Sequence, residues 1–244
     1  MRELDSKKDD DYFIAVDDLL RRASLTPRLA MENFTRFASI PALSRFLARY
    51  EIFQRIIEVP GVVVDAGVFH GFSLFTWAKL SAILEPTNHT RRIVGFDTFS
   101  GFPSVTDEDQ SSVSESMHEG GYHGSAQAEI QAAVDAYDIN RPLNHIPKVE
   151  LVAGDVCQTA PQYLIDNPHL VVSLLHLDVD LFDPTKALLE TFVPRMPKGA
   201  VIIFDELNSP YFPGETQAVL DCLGLNDHPI RKLPFHPWIS YLTL

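Results

Sequence analysis

The feature that most constrains the fold of this chain is a set of five short apolar runs, each followed within three residues by an acidic residue. The runs cover residues 62–64, 93–96, 149–152, 171–177 and 200–204, and the acidic residues are Asp65, Asp97, Asp155, Asp178 and Asp205. Runs that are apolar at nearly every position indicate strands buried on both faces. Helical patterns separate most of these runs, so the sequence predicts an α/β fold with helices on both faces of a mostly parallel sheet. Residues 230–235 and 239–244 are spaced as an antiparallel edge pair, which brings the prediction to seven strands.

The N-terminal part of the chain has a different pattern. Residues 12–58 carry apolar side chains at mixed spacings of three and four residues, which is typical of helices. Pro27 and Pro41 fit the first turns of successive helices. The sequence therefore predicts a polar tail (1–11) and a helical cap within residues 1–59, followed by a larger domain over residues 60–244. In that domain, the long polar connection 103–125 follows a strand and is typical of a lid over a ligand site.

The charge and composition of the chain argue against nucleic acid and membranes as partners. The chain carries a formal net charge of -13, which argues against a nucleic-acid-binding surface, because phosphates require clustered Lys and Arg. No apolar run reaches the ~18 residues of a membrane-spanning helix, and the charged N-terminus does not read as a secretory signal. The two cysteines, Cys157 and Cys222, fit a reduced compartment without a disulfide framework. We expect a cytoplasmic protein with a small-molecule substrate and no membrane partner.

The first three strand ends predict an adenosyl pocket. The loop 65–73 (DAGVFHGFS) contains glycines that let the backbone approach a ligand, and Asp97 ends the next strand, where a carboxylate can accept hydrogen bonds from ribose hydroxyls. Asp155, after the third strand, could face the adenine edge. His70 is a further candidate contact to substrate or cofactor. The predicted cofactor-binding residues are Asp65, Gly67, Val68, Phe69, Gly71, Ser73, Asp97, Thr98, Phe99, Asp155 and Val156.

The last two strand ends predict a metal site. Asp178, Asp205 and Glu206 would project from adjacent strand ends into one crevice, and carboxylates at close range repel unless a cation neutralises them. An all-oxygen site suits Mg²⁺ or another hard divalent cation. Asp180 alternates with Asp178 and is expected to face away in a supporting role. His176 reads as a hydrogen-bonded core histidine rather than a ligand.

Taken together, these motifs resemble the macrocin-type sugar O-methyltransferases of natural-product biosynthesis. The matching segments are 64–71 (VDAGVFHG), 95–103 (GFDTFSGFP), 177–182 (LDVDLF) and 204–207 (FDEL), within residues 60–215. Segment 204–215 (FDELNSPYFPGE) is most similar to the branch that acts on nucleotide-linked deoxysugars, the calicheamicin-type rhamnose O-methyltransferases.

The resemblance implies a class I methyltransferase Rossmann-like fold, S-adenosylmethionine as methyl donor, a Mg²⁺-like ion, and a hydroxyl of a nucleotide-linked deoxysugar or glycoside as acceptor. It implies that Asp178 is both metal ligand and general base, with Asp205 and Glu206 as the other metal ligands. It also implies a homodimer or larger homo-oligomer. The chain departs from the family at two places: Glu206-Leu207 stands where Asp-Tyr is common, and Phe182 replaces a common tyrosine.

Three alternatives remain open at this level. A protein of the same fold could act on a non-sugar acceptor. It could also be a non-catalytic nucleotide-binding or partner-binding module, although retention of Asp178, Asp205 and Glu206 argues against that. An NAD-dependent oxidoreductase could use Asp97 to hold its ribose, but the glycine pattern G-x-G-x-x-G is absent from the sequence.

Overall fold

The computed structural model describes residues 7–244 and contains one seven-stranded sheet with the order β3-β2-β1-β4-β5-β7-β6. The strands are β1 (Val62–Ala66), β2 (Ile93–Asp97), β3 (Val149–Ala153), β4 (Val172–Leu177), β5 (Val201–Phe204), β6 (Arg231–Lys232) and β7 (Ser240–Thr243). Strands β1 to β5 are parallel, and β7 pairs antiparallel with both β5 and β6. The predicted α/β class, the seven strands and the antiparallel pair are confirmed. The pair is shorter than predicted, and its second strand, β7, lies next to β5.

The described residues contain eight α-helices, of which the first three precede β1 and the other five connect strands. They are α1 (Lys7–Arg22), α2 (Pro27–Glu32), α3 (Ile40–Phe53), α4 (Phe72–Leu84), α5 (Gln127–Ile139), α6 (Val156–Asp166), α7 (Phe182–Phe192) and α8 (Pro213–Cys222). Short 3₁₀ turns cover Phe34–Arg36, Gln54–Ile56, Asp107–Asp109 and Val193–Arg195. In residues 7–244, no helix is both long enough and apolar enough to cross a membrane.

The chain forms two compact units, one ending at Phe46 and the other covering Leu47–Leu244, so the division falls inside α3. The predicted boundary at residue 59 and the capping role of the first part stay predictions. In the first unit, the Tyr12 hydroxyl donates a hydrogen bond to the carbonyl of Phe37 at 3.1 Å. The predicted tail is wrong for residues 7–11, which are helical, because no Gly or Pro interrupts α1 after Lys7. Residues 1–6 lie outside the described residues.

The core lies on both faces of the sheet. One face shares a single apolar cluster with α6, α7 and α8. On the other face, the rings of Trp77 in α4 and Phe53 in α3 stack with their centroids 6.3 Å apart. Helix α5 is joined to α4 by the Tyr137 hydroxyl, which donates to the Ala78 carbonyl. Burial on both faces explains why the five parallel strands are apolar throughout.

A buried arginine ties together the edge of the sheet where the parallel strands begin. Arg91 is 1% exposed and donates hydrogen bonds to the carbonyls of Val59 and Gly61, before β1, and to the Ser173 hydroxyl in β4. Its charge is paired with Glu85 at 2.9 Å. A buried guanidinium is tolerated only when its donors and its charge are satisfied in this way. The opposite edge, where the strands end, is left for the site.

Candidate active site

The loops that follow β1, β2, β4 and β5 each contain a non-glycine residue in the left-handed backbone conformation. The angle φ is 51° at Phe69, 55° at Phe99, 65° at Asp180 and 70° at Asn208, and these are four of the six such residues in the described part of the chain. This conformation costs roughly 1–3 kcal/mol per residue and concentrates where a ligand site is built. The four strands are neighbours in the sheet, so their carboxyl ends form the candidate active site.

Asp97 joins two of these loops. Its Oδ2 accepts a hydrogen bond from the Phe69 amide at 2.8 Å, and its Oδ1 accepts one from the Phe99 amide at 2.7 Å. Because a carboxylate has about four lone-pair positions, each oxygen can accept a further hydrogen bond. This geometry suits the predicted contact with ribose hydroxyls, and that contact stays a prediction.

The carboxylate of Asp65 is hydrogen-bonded to side chains in the protein interior. It is fully buried, and its carboxylate accepts hydrogen bonds from the Trp77 indole at 3.0 Å and from the Ser73 hydroxyl at 2.9 Å. Its Oδ1 also lies 2.6 Å from Nδ1 of His176. Asp65 and Ser73 were predicted to bind the cofactor, and the structure instead shows their side chains bonded to each other. Direct cofactor contact by either one remains untested.

The glycines of the first loop are required by close packing. At Gly67, φ is 92° and a Cβ atom would lie 1.8 Å from the carbonyl oxygen of Asp178. The loop 65–73, which is the predicted cofactor loop, therefore runs directly against the end of β4. Gly71 precedes α4 with φ of 85°. The side chains of Val68 and Val156 are buried. For these four residues too, cofactor binding stays a prediction.

The remaining predicted cofactor residues stabilise turns at the same edge. The Thr98 hydroxyl donates to the Gly101 carbonyl at 2.6 Å. Asp155 caps α6 by accepting a hydrogen bond from the Cys157 amide at 2.9 Å. This capping bond is sufficient to explain where the Asp155 side chain lies. The predicted contact between Asp155 and adenine therefore stays a prediction.

Two of the three predicted metal ligands converge. Single ligand atoms of His176, Asp178 and Asp205 all lie within 4.8 Å of one another. The side chains of Asp178 and Asp205 are 23% and 13% exposed, so both reach the surface of the site. The core position predicted for His176 agrees with its complete burial, but its ring also forms one wall of the carboxylate site.

His176 is surrounded by acidic groups. Burial alone would lower the pKa of this histidine, but the carboxylates of Asp205 and Asp65 raise it to about 9. The Nε2–Oδ1 distance to Asp205 is 3.7 Å, longer than a hydrogen bond, whereas the contact to Asp65 is a hydrogen bond. The hydrogen bond to Asp65 places a proton on Nδ1, and Nε2 faces the guanidinium of Arg49 at 3.4 Å.

Glu206 lies outside the group of three ligand atoms and belongs to a second acidic cluster with Asp180 and Glu215. Burial raises the pKa of Glu206 to about 8, and the charge of Asp205 adds to the effect. Burial and then the charge of Glu206 hold the pKa of Asp180 well above its usual range. Asp180 thus lies near Glu206 rather than facing away, because β4 ends at Leu177 and strand alternation no longer sets its direction.

Glu215 supports this second cluster from α8. It is fully buried, its Oε1 accepts a hydrogen bond from the Glu206 amide at 2.9 Å, and its Oε2 has no hydrogen-bond partner among the described residues. Burial, followed by the charges of Glu206 and Asp205, holds the pKa of Glu215 well above its usual range. The backbone direction of Glu206 is therefore set by a carboxyl group in another element.

Arg49 supplies a permanent positive charge to the site. This fully buried residue of α3 places Nη2 3.6 Å from Oδ1 of Asp205 and 4.0 Å from Oδ2 of Asp178. The same nitrogen lies 3.4 Å from Nε2 of His176. The sequence pattern held one signal for this residue: Arg49 precedes Phe53 by four positions and Ile56 by seven, which places it on the apolar face of the helix.

The segment 103–125 is packed against the site. The Tyr122 ring stacks on Phe102, with centroids 5.8 Å apart, and meets Phe212 edge-on at 5.4 Å. At the end of the segment, the Ser125 hydroxyl lies 2.9 Å from Nδ1 of His70 in the cofactor loop. The predicted role of this segment as a moving lid is untested.

Asp109 anchors the middle of this segment and was not predicted. It is fully buried, and its Oδ1 accepts a hydrogen bond from the Phe182 amide, at the start of α7, at 2.7 Å. Its Oδ2 accepts from the amide and hydroxyl of Thr106 at 2.9 and 2.8 Å. Nothing in the local sequence distinguishes Asp109 from its exposed neighbours Asp107 and Glu108.

The two converging carboxylates fit a hard divalent cation. Such ions take carboxylate oxygens and water as ligands, and both Asp178 and Asp205 are partly exposed. His176 fits less well, because its Nδ1 is bonded to Asp65 and its Nε2 faces Arg49. Among the three groups whose ligand atoms converge, Asp178 and Asp205 are therefore the ones that could hold a metal.

Comparison with known proteins identifies the family. The model of the macrocin O-methyltransferase (TylF) family matches residues 45–219, which include the cofactor loop, the carboxylate site and Arg49. The chain belongs to the macrocin O-methyltransferase family. The resemblance seen in the sequence is thus confirmed, as are the methyltransferase class of enzyme and the S-adenosylmethionine-dependent methyltransferase fold.

Solved structures related to this macrocin-family enzyme extend the match to nearly the whole chain. The crystal structure of CalS11, a calicheamicin methyltransferase, is 36% identical, covers 98% of this chain and 93% of its own, and has a TM-score of 0.93. An apo structure of CalS11, described as a TDP-rhamnose 3'-O-methyltransferase, is 34% identical with coverages of 98% and 95% and a TM-score of 0.85. The O-methyltransferase NovP, at 20% identity, coverages of 82% and 79%, and a TM-score of 0.65, shows the fold alone. No curated protein matches the chain.

Proposed function

We propose that this enzyme transfers a methyl group from S-adenosylmethionine to a hydroxyl of a sugar, in particular a nucleotide-linked deoxysugar, in natural-product biosynthesis. Support for the acceptor class comes from CalS11, which is 36% identical to this chain over 98% of this chain's length and is described as a TDP-rhamnose 3'-O-methyltransferase. Because the chain is a methyltransferase-family member, the NAD-dependent alternative is not favoured.

The observation that carries the proposal is the position of Asp178. Its carboxylate is partly exposed at the end of β4, and its backbone carbonyl lies against Gly67 of the predicted cofactor loop. A general base must be within hydrogen-bond reach of the proton that it accepts. Asp178 would meet this requirement for an acceptor hydroxyl brought between the predicted cofactor loop and the carboxylate site.

The roles of the residues follow from the chemistry of methyl transfer. The cofactor, when bound, supplies an activated sulfonium methyl group, so the protein must orient the acceptor oxygen in line with it and remove the proton. Asp97 and the loops that it joins would hold the nucleoside, and Asp178 would accept the hydroxyl proton. Segment 103–125, packed through Tyr122 and Asp109, would exclude water from the acceptor.

A divalent cation is part of the proposal, with Asp178 and Asp205 as the residues that would hold it and Glu206 as a further ligand. Such an ion would lower the pKa of a bound sugar hydroxyl and orient it. We also propose a homodimer or larger assembly and a cytoplasmic location.

The first experiment is isothermal titration calorimetry with S-adenosylhomocysteine, with and without Mg²⁺. We expect micromolar binding by the unmodified enzyme, loss of binding in Asp97→Ala, and unchanged binding in Asp166→Ala, which removes an exposed carboxylate at the end of α6. Asp178→Asn should retain this binding but lose methyl transfer to TDP-rhamnose, followed as a mass increase of one methyl group.

Other results of these binding and methyl-transfer experiments would favour a different function or a different role for Asp178. Absence of S-adenosylhomocysteine binding by the folded enzyme would refute the proposal and favour a non-catalytic module. Binding with transfer to a phenol or catechol but to no sugar nucleotide or glycoside would favour a non-sugar acceptor. Equal transfer by Asp178→Asn and the unmodified enzyme would remove Asp178 from the catalytic role.

A further inference from the structure

Arg49 is held rigidly beside the carboxylate site. Its side chain is fully buried, and its guanidinium carbon lies 5.4 Å from the centroid of the Phe72 ring and 5.8 Å from that of Trp77. Cations are attracted to the faces of aromatic rings at such distances. Because an arginine stays charged when buried, neighbouring carboxylates must offset the loss of its hydration. The two rings therefore fix the position of a cation that the site cannot lose by titration.

The carboxylates that face this cation are those predicted to bind metal. Nη2 of Arg49 lies 3.6 Å from Asp205 and 4.0 Å from Asp178. Both distances are longer than a hydrogen bond, so Arg49 acts on the two carboxylates chiefly through its charge. Carboxylates that lie close together repel each other unless a positive charge compensates them. In this chain, part of that compensation comes from the protein itself.

We propose that Arg49 is a built-in counter-cation of the site formed by Asp178 and Asp205 and that its charge lowers the affinity of this site for divalent cations. This inference rests on the proposed function for the chemistry of the site. A divalent ion held by these two carboxylates would face the guanidinium charge at close range. Repulsion at that range weakens binding by at least about tenfold.

Binding of Mn²⁺, followed by the electron paramagnetic resonance signal of the free ion, tests the proposal on the full chain. Arg49→Met removes the charge but keeps an unbranched side chain to fill the space beside Phe72 and Trp77. Arg49→Lys keeps the charge. Arg55→Met is the control, because Arg55 is exposed and lies over the ring of Tyr241. We expect Arg49→Met to bind Mn²⁺ about tenfold more tightly than the unmodified enzyme, with Arg49→Lys and Arg55→Met close to it.

One result would overturn the proposal: Mn²⁺ binding by folded Arg49→Met that is equal to or weaker than that of the unmodified enzyme. If Arg49→Met does not fold, Arg49→Gln is the second neutral variant and the same comparison applies. Calorimetry with S-adenosylhomocysteine on the same samples separates the two hypotheses, since its failure refutes the methyltransferase function and leaves the Mn²⁺ comparison intact.

Discussion

Replacing Asp109 with alanine tests whether one buried carboxylate holds the segment 103–125 at the edge of the sheet. Asp109→Ala removes the acceptor for the Phe182 amide and for the amide and hydroxyl of Thr106. The hydroxyl can turn to water, but the two partly buried amides cannot. Each amide that loses its acceptor costs about 1–2 kcal/mol, so the segment should lose about 2–4 kcal/mol of protection against opening.

Hydrogen exchange of peptides from residues 103–125, measured by mass spectrometry, gives a direct comparison with this estimate. A loss of 2–4 kcal/mol corresponds to exchange that is faster by about 30-fold to 1000-fold. The KM for the acceptor should rise, and affinity for S-adenosylhomocysteine should change little, because Asp97 and its loop contacts are untouched.

Glu108→Ala is the matched control, since it removes an exposed carboxylate one residue away. We expect its exchange to stay within about threefold of the unmodified enzyme, as for most surface substitutions. Equal protection of the segment in Asp109→Ala and Glu108→Ala would refute the reasoning, as would a loss of protection spread evenly over the whole sheet.

Two further substitutions test other parts of the structure. Gly67→Ala should cost at least about 3 kcal/mol of unfolding free energy in denaturant titrations, because its Cβ would lie 1.8 Å from the Asp178 carbonyl oxygen. Gly120 also has a positive φ but nothing within 4 Å of its Cβ position, so Gly120→Ala should cost only about 1 kcal/mol. Similar costs for the two substitutions would show that the close contact at Gly67 does not decide the stability loss. Burial lowers the pKa of Lys148, which donates to the Asn88 carbonyl, from 10.5 to about 8. Between these values only the unfolded chain keeps the proton, so the unfolding free energy should rise as the pH increases from about 8 to about 10.5. Lys148→Met should lack this rise. If urea titrations give the two proteins the same change of unfolding free energy with pH, the assignment is contradicted.

The sheet and the edge at which the candidate site lies were predictable from the sequence. Strands covered on both faces must be apolar at nearly every position, and that pattern is visible in five separate runs. Ligands bind at the carboxyl ends of parallel strands, so the acidic residue after each run indicated where a site could lie. Motifs such as GFDTFSGFP and LDVDLF then indicated the macrocin-type family, which the match over residues 45–219 confirms. The helical start of α1 was missed because a run of charged residues is compatible with both a tail and a helix.

What each acidic side chain contacts was decided only by the tertiary structure. Asp65 and Asp97 have the same local pattern, a carboxylate at the end of an apolar strand. The Asp65 carboxylate lies on the side covered by α4 and accepts hydrogen bonds from Trp77 and Ser73. The Asp97 carboxylate instead accepts hydrogen bonds from backbone amides in two loops. The direction of a side chain at a strand end depends on the elements packed there, and no local pattern encodes them.

The charge balance of the site depends in the same way on residues far apart in the chain. Arg49 meets His176 across 127 positions, and Asp109 meets Phe182 across 73. Local periodicity placed Arg49 on a buried face but could not name its partners. The sequence by itself determined the sheet, the edge of the sheet that carries the candidate site, and the family, because these depend on repeated local patterns. The tertiary structure alone decided which cation neutralises which carboxylate, because that pairing forms only when distant elements pack together.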